Sequence, residues 1–333
     1  MTVHLGLPDN AVPAPGVDAA IAWHYGDPLR EQRALATRAG VVDRSNRDVL
    51  QVSGVDRLAW LHTICSQHLS ALTDGDTTQA LVLSPHGHVE QHWQVSELGG
   101  TVWVDTEPGA SATVLDYLTK MRFLKRVEPV DVSADWGVLS LGGPAADEVL
   151  AAAGLPVPAP GRAVALESGG LVRRLDASVP ADLIVPRAAV RATMAALVEA
   201  GAVAVGSWAY EALRVETRRP RLGFETDHRT IPHEVGWIGS AVHLNKGCYR
   251  GQETVARVHN LGRPPRRLVL LHLAGESDEL PEPGTPVELD GRPVGFLGTA
   301  VHHYELGPIA LAVIKRSATD GLSVGGAPVG VEE

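Results

Sequence analysis

The run Asn245-Lys246-Gly247-Cys248-Tyr249-Arg250-Gly251-Gln252-Glu253 is the densest set of chemically active side chains in the sequence, and it precedes a change of architecture. Its second glycine, Gly251, lets the backbone turn into a helix that begins at Gln252. Beyond Arg263-Pro264-Pro265 the apolar residues recur as strands, with Asp290-Gly291 as a two-residue hairpin turn, and no helical periodicity is left. The strand pattern of residues 263–333 therefore predicts a small β-barrel or Greek-key module.

Upstream of this run, helical and strand-like segments alternate. Asp27 can cap a helix that has Pro28 in its first turn and Gly40 after its last. Further on, three strand-like segments follow one another with short breaks, at Thr78–Leu83, Gly87–Val95 and Thr101–Asp105. These patterns predict an α+β fold that contains a meander of strands.

Composition narrows the classes of partner. The chain has 333 residues, of which 44% are hydrophobic and 20% charged, so it can bury the cores of two or three domains. The chain has 39 acidic and 29 basic residues, which gives a net charge of −10. It contains no run of Lys and Arg that could bind the phosphates of duplex nucleic acid. No apolar run approaches the roughly 20 residues that span a bilayer, and the first 16 residues do not resemble a signal peptide. We expect a cytoplasmic protein without a membrane partner.

The two cysteines, Cys65 and Cys248, are too few to hold an iron–sulfur cluster by four thiolates within one chain. Cys65 lies at helical spacing from Leu61, which predicts a core position. If the backbone from Lys246 to Cys248 is extended, the two side chains share a face, and the ammonium together with the amides of the following helix favours the thiolate. The alternative is that Cys248 is a small buried filler and that Glu253 only complements the helix dipole.

The same run carries a family resemblance. It reproduces K-G-C-Y-x-G-Q-E, with seven matching residues: Lys246, Gly247, Cys248, Tyr249, Gly251, Gln252 and Glu253. The chain thereby resembles the YgfZ family of folate-binding proteins, which are related to the T-protein (aminomethyltransferase) of the glycine cleavage system. Weaker similarity to both families covers residues 38–62 and Tyr210–Asp227. In the second stretch Arg214, Glu216, Pro220 and Gly223 match the family pattern, whereas Thr217 and Arg218 depart from it.

The resemblance implies a ring of three subdomains around a folate cavity. Residues 1–262 would form a folate-binding region of two subdomains, and residues 263–333 the C-terminal barrel. The cofactor would be tetrahydrofolate or a one-carbon derivative, with Tyr249 and Arg214 among its contacts. The implied role is the assembly or repair of iron–sulfur clusters through Cys248 and Lys246, with client enzymes or assembly proteins as partners. The clients, the folate form and the chemical role of the thiol stay open.

A second constellation lies between Ser84 and Trp93. In a continuous strand, the side chains of His86, His88, Glu90 and His92 would share one face and would suit zinc or iron. Pro85 and Gly87 instead predict a hairpin turn that breaks the alternation, so a metal site stays an open alternative.

Comparison with T-protein assigns roles to two carboxylates. Glu90 and Gln91 occupy the places of its paired aspartates, and the Glu90 carboxylate is expected to contact the pterin. Because the longer side chain misplaces a proton-transfer group, and an error of about 1 Å can cost about 100-fold, aminomethyl transfer is put in doubt. Asp182 resembles the glutamate that accepts hydrogen bonds from the pterin ring, the alternative being a solvent-exposed aspartate at a strand edge.

Three functions therefore compete. The first is a tetrahydrofolate-binding accessory protein for iron–sulfur cluster assembly or repair that uses Cys248. The second is a folate-dependent one-carbon transferase, such as an aminomethyltransferase or a demethylase of a small amine. The third is a binding or scaffold module in which the cysteine is incidental. Whether the protein is an enzyme is left open.

Overall fold

The computed structural model describes residues 10–274 and 279–332, and part of the N-terminal segment considered for a targeting signal lies outside this range. The chain divides into two compact units. The first comprises Met1–Ala80 and His92–Tyr210, and the second Leu81–Gln91 and Glu211–Glu333. No helix in the described ranges is long and apolar enough to cross a membrane.

The described residues form seven α-helices: α1 (Pro28–Thr37), α2 (Arg57–Ile64), α3 (Ser111–Lys120), α4 (Ala146–Ala152), α5 (Val190–Glu199), α6 (Ser207–Glu216) and α7 (Gln252–Leu261). Helix α1 starts as predicted, because the Asp27 carboxylate accepts a hydrogen bond of 3.0 Å from the Arg30 amide and Pro28 occupies the first turn. Helix α7 begins at Gln252 as predicted.

Three sheets contain the strands β1–β13. A two-stranded sheet pairs β1 (Val12–Pro13) with β2 (Ala22–His24). A five-stranded sheet has the order β5-β6-β7-β4-β8 and contains β4 (Asp48–Ser53), β5 (Thr77–Leu83), β6 (Val89–Leu98), β7 (Thr101–Thr106) and β8 (Glu128–Asp131). A six-stranded sheet has the order β10-β11-β12-β9-β3-β13 and contains β3 (Gly40–Asp43), β9 (Trp136–Gly142), β10 (Arg162–Ala165), β11 (Leu171–Arg174), β12 (Ala181–Pro186) and β13 (Val203–Ala204). The predicted meander is β5-β6-β7.

The six-stranded sheet buries apolar residues on both faces, and one of these faces also carries a row of polar side chains. Alternate residues such as Val172, Leu183 and Leu139 lie in a buried apolar cluster with residues of α4 and α5. Their neighbours point to the opposite face, because successive side chains of a strand alternate. Register places Arg173 of β11 beside Asp182 of β12, and Asp182 beside Ser140 of β9. Three polar side chains are thus aligned across three central strands.

The C-terminal strands form a nearly closed seven-stranded barrel within the second unit. Its order is β19-β18-β15-β16-β17-β14-β20, with β14 (Arg266–His272), β15 (Pro286–Leu289), β16 (Arg292–His303), β17 (Gly307–Lys315), β18 (Leu322–Val324), β19 (Ala327–Pro328) and β20 (Gly330–Glu332). Between β15 and β16, Asp290 and Gly291 adopt φ of 51° and 71°, as the predicted hairpin turn requires. The predicted α+β fold with a C-terminal β-barrel is confirmed.

Candidate functional sites

The thiol of Cys248 is exposed, whereas that of Cys65 is buried as predicted. The next residue, Tyr249, is buried in an apolar cluster of the second unit with Val255 of α7 and Leu83 of β5. This anchor fixes the backbone directly beside Cys248. The alternative of a buried filler cysteine at this position is therefore wrong.

The predicted pairing of Lys246 with Cys248 required an extended backbone through the motif, and the backbone is not extended there. It bends through residues 244–247. The Lys246 ammonium lies 5.0 Å from the centroid of the Tyr249 ring, a cation–π contact. The Lys246 carbonyl accepts a hydrogen bond of 3.3 Å from Nε2 of Gln252, so the segment folds back onto the start of α7. Glu253 is exposed in the first helical turn, where a carboxylate complements the helix dipole.

Two glycines bring this segment against the turn between β5 and β6. Gly251 has a φ of 81°, and an added Cβ would lie 2.6 Å from the carbonyl oxygen of Ser84 and 2.8 Å from Cα of Gly87. In return, a Cβ at Gly87 would lie 2.7 Å from Cβ of Thr254. A side chain fits at neither position. The sequence indicated a backbone bend at Gly251, but it gave no signal for this close approach.

The histidine-rich segment forms the predicted hairpin turn. The Gly87 amide donates to the carbonyl of Ser84 at 2.9 Å, and the Ser84 hydroxyl oxygen accepts hydrogen bonds from the amides of His86 and His88. The rings of His86 and His88 lie 6.1 Å apart. Within the described ranges, no group of three or more His, Cys, Asp or Glu residues could hold a metal ion.

Glu90 lies beside the cysteine motif, because its carboxylate pairs with the guanidinium of Arg250 at 3.1 Å and 3.4 Å. Both side chains are 40% exposed, so the pair contributes little stability. Arg250 occupies the variable position of the motif, and sequence reasoning assigned it no role. The structure therefore brings Glu90, Arg250 and Cys248 to neighbouring segments of the second unit, whereas Asp182 belongs to the first unit.

Arg214 of α6 is a buried ion-pair residue of the second unit. Its guanidinium has five N–H donors, and all are used within the protein. The acceptors are the carboxylates of Glu211 and Glu225, the carbonyl of Arg219 and the hydroxyl of Thr299 in β16. A folate could reach this guanidinium only by displacing one of these partners.

Asp182 lies in β12, an interior strand, and its side chain is buried. The Ser140 hydroxyl donates to its Oδ1 at 2.6 Å, and Nη2 of Arg173 donates to its Oδ2 at 3.1 Å. Nη1 of Arg44 lies 3.6 Å from Oδ1. The alternative of a solvent-exposed aspartate at a strand edge is wrong, because β11 and β9 pair with β12 on its two sides. The carboxylate keeps acceptor capacity, since it can accept about four hydrogen bonds.

A chain of buried charges continues from Asp182. The Arg173 guanidinium lies between Asp182 and Asp105 of β7, and Asp105 also accepts a hydrogen bond of 2.7 Å from Nε of Arg47. Burial would raise the pKa of Asp105, but the two arginines hold it below its ordinary value. Nε and Nη1 of Arg173 are buried and have no hydrogen-bond partner among the described residues. Because an unsatisfied buried donor is costly, these atoms fit a polar ligand or ordered water.

The buried imidazole of His92 makes the first unit sensitive to acid. Burial lowers the pKa of His92 from 6.5 to about 4, and its Nε2 lies 2.8 Å from Oε1 of Gln79. The folded protein thus takes up this proton only near pH 4, whereas the unfolded chain takes it up below about pH 6.5. Acidification through this window therefore favours the unfolded state.

We expect His92 to contribute about 3 kcal/mol of stability that is lost as the pH falls from 6.5 to 4. Urea unfolding of wild type and His92→Gln across this range measures the difference, since other titrating groups are common to both proteins. Parallel pH profiles for the two proteins would contradict this assignment.

Comparisons with known proteins agree with this architecture. Residues 16–156 match the family model of the GCVT N-terminal domain, and residues 266–333 match the CAF17 C-terminal β-barrel domain. An aminomethyltransferase of Symbiobacterium thermophilum is 26% identical, over 89% of this chain and 83% of the relative. A chloroplastic transferase-like protein of Arabidopsis thaliana is 27% identical, over 86% of this chain and 69% of the relative.

The crystal structure of the glycine cleavage system aminomethyltransferase T from Bartonella henselae superposes with a TM-score of 0.83. The superposition covers 97% of this chain and 92% of that one, at 16% sequence identity, and so shows a shared fold. The chain therefore matches the models of a GCVT N-terminal domain and a CAF17 C-terminal β-barrel domain over these residues, and it shares the fold of that aminomethyltransferase.

Proposed function

We propose that this protein binds a reduced folate and uses Cys248 in the assembly or repair of iron–sulfur clusters in client enzymes, as its resemblance to the YgfZ family implies. The supporting observation is an exposed thiol on a segment that Tyr249, Gln252 and Gly251 hold in place. The joint match to GCVT and CAF17 domains supports the same role. In this proposal, residues 1–262 form the folate-binding region and residues 263–333 the barrel.

Arg173, Asp182 and Ser140 form a polar row across the six-stranded sheet of the first unit, and this row supports folate binding. A pterin ring presents an amino group and a ring N–H side by side, and one carboxylate can receive both. Asp182 is suited to this task, because Ser140 and Arg173 orient it and leave lone pairs unused. Tetrahydrofolate or a one-carbon derivative would supply the carrier chemistry. Tyr249 and Arg214 stay proposed contacts, although both have structural roles, so we expect their substitution to act through the fold as well.

The test of folate binding is calorimetry with tetrahydrofolate on wild type and Asp182→Asn. We expect binding to weaken by at least about tenfold, since a hydrogen bond to a charged group contributes about 1.5–3 kcal/mol. Asp176→Asn is the matched control, because that exposed aspartate accepts hydrogen bonds from the adjacent Ala177 and Ser178, and the variant should bind folate as wild type does. Absence of saturable binding by the wild type would refute the proposal.

The test of the thiol compares the reactivity of the protein's two cysteines, Cys248 and Cys65. We expect iodoacetamide to alkylate Cys248 at least about tenfold faster than Cys65, because the exposed thiol needs no opening of the structure. In cells, Cys248→Ala should lower the activity of iron–sulfur enzymes without changing the thermal unfolding of the protein, while Cys65→Ala should leave them active. Normal activity of iron–sulfur enzymes in the Cys248→Ala strain would show that the motif is only a structural turn.

A folate-dependent one-carbon transferase is the second candidate, favoured by the GCVT match and the aminomethyltransferase relatives. Two residues argue against aminomethyl transfer, because they stand where T-protein has its paired aspartates. Glu90 is held by Arg250, and Gln91 carries no charge. Lys246 stays the proposed partner of the thiol, and its ammonium also contacts the Tyr249 ring. Turnover in a glycine cleavage system reconstituted with this chain in place of T-protein would favour the transferase.

A further inference from the structure

The turn after α3 presents two large apolar side chains to solvent. Leu124 is 99% exposed and Phe123 is 81% exposed. Single exposed apolar residues are common on protein surfaces and need no explanation. Two adjacent ones that are almost fully exposed form an apolar tip, which we define as Phe123–Leu124. This tip takes no part in the proposed folate or thiol chemistry.

The tip is held by a built turn. Nε1 of Trp60 donates to the carbonyl of Met121 at 2.8 Å, and the Lys125 amide donates to the carbonyl of Arg122 at 3.0 Å. On its far side, the Arg126 amide donates to the Asp56 carboxylate at 2.9 Å. Both ends of the turn are therefore tied to α2 and the residue before it. The two apolar side chains lie on a fixed backbone, which lowers the conformational-entropy cost of ordering the turn when a partner binds.

The backbone of Phe123 is also strained. Its φ of 46° lies in the left-handed region, which non-glycine residues seldom adopt and bulky residues least of all. Such strain persists only where the surroundings impose it, and it is concentrated at sites of recognition. Here the strained residue is the one whose aromatic ring points into solvent.

Positive charge surrounds the tip in a chain whose net charge is −10. Lys120, Arg122, Lys125 and Arg126 lie within seven residues. Lys120 pairs with Asp116, and Arg126 pairs with Asp56. Arg122 and Lys125 form no salt bridge with any described residue, although Lys125 lies near enough to Asp56 to help Arg126 lower the pKa of that carboxyl. The local charge is thus opposite to that of the whole chain and is only partly neutralised.

We infer that the Phe123–Leu124 tip is a docking element that inserts into an apolar pocket of a protein with an acidic rim. The two side chains supply the buried anchor, and the cations that form no salt bridge, Arg122 and Lys125, supply complementary charge at the rim. An anionic bilayer shares part of this chemistry, but it would repel a chain of net charge −10, and two side chains bury little area in lipid. The geometry therefore favours a protein over a membrane.

The experiment places a benzoylphenylalanine photocross-linker at Phe123 of the full chain in its native cells. Leu261 at the end of α7 is the matched control position, because it is an exposed large apolar residue of the other unit. We expect an acidic protein to be cross-linked from position 123 and absent from position 261. Cross-linking of the same proteins from both positions, or of no acidic protein from position 123, would overturn the proposal.

The captured protein is then purified and titrated against wild type, Phe123→Asp/Leu124→Asp and Leu261→Asp. We expect the double variant to bind at least about tenfold more weakly, the control to bind normally, and added salt to weaken the wild-type complex. Unchanged thermal unfolding shows that the exposed substitutions leave the fold intact. Equal affinity of all three proteins, or wild-type binding to phosphatidylglycerol–phosphatidylcholine vesicles in place of the protein, would refute a protein-docking tip.

Discussion

Replacement of Gly251 by alanine is expected to destabilise the docking of α7 in the second unit by about 2–5 kcal/mol. A left-handed backbone costs a residue with a Cβ about 1–2 kcal/mol, and the φ here is 81°. The new methyl would also meet the Ser84 carbonyl oxygen at 2.6 Å and the Gly87 Cα at 2.8 Å. These are backbone atoms, so no side chain can rotate to relieve the clash, and overpacking of this kind costs about 1–3 kcal/mol more.

Gly262→Ala is the matched control. Gly262 ends the same helix with a φ of 72°, and nothing lies within 4 Å of the position that a Cβ would occupy. The conformational cost is therefore present without the clash, and we expect a loss of about 1 kcal/mol. Hydrogen exchange of the α7 amides in the full chain measures the two losses at the helix itself. Equal losses of α7 stability in the two variants would show that the close approach of Gly251 to the turn does not contribute to the cost of the Gly251→Ala substitution.

Local chemistry made part of the structure predictable from the sequence. The Asp27 cap, the Asp290-Gly291 turn and the start of α7 at Gln252 depend on residues within a few positions of one another. Pro85 and Gly87 likewise predicted the hairpin turn that separates His86 and His88 from the strand. In each case the signal is a backbone preference of the residue itself, so distant parts of the chain do not alter it.

Contacts between distant segments were not predictable in the same way. Arg250 and Glu90 are 160 positions apart, and only the approach of Gly251 to Gly87 brings them together. The extended Lys246-Gly247-Cys248 segment was a reasonable local interpretation, but the Tyr249 anchor bends the chain and draws the ammonium over its ring. Tertiary packing decided both outcomes.

The buried charges of the first unit show the same limit. Asp182 was identified through a family resemblance, yet its neighbours Arg173 and Ser140 follow from sheet register, which a single sequence does not encode. Asp105 and Arg47 had no signal at all, because an isolated charged residue in a strand is more often exposed than buried. The pairing of β11 with β12 places Arg173 beside Asp182, and its contact with Asp105 comes from β7 of the five-stranded sheet.

Arg173→Met is therefore expected to cost about 3–5 kcal/mol of folding stability, the range for removing one partner of a buried ion pair. The guanidinium is fully buried, and its loss leaves Asp105 with Arg47 alone and deprives Asp182 of a donor. Arg250→Met is the control, because the Arg250–Glu90 pair is exposed and its loss should cost less than about 1 kcal/mol.

Urea unfolding of the full chain, followed by the exchange of amides in β11 and β12, measures the cost of Arg173→Met in the first unit. The double variant Arg173→Met/Asp105→Asn should recover part of the loss, since removing both charges avoids an uncompensated buried carboxylate. A loss for Arg173→Met no larger than that for Arg250→Met would mean that bound water already compensates the buried charges. The two orphan nitrogens of Arg173 would then be water sites, and the polar row would lose its strongest argument as a place where a pterin binds.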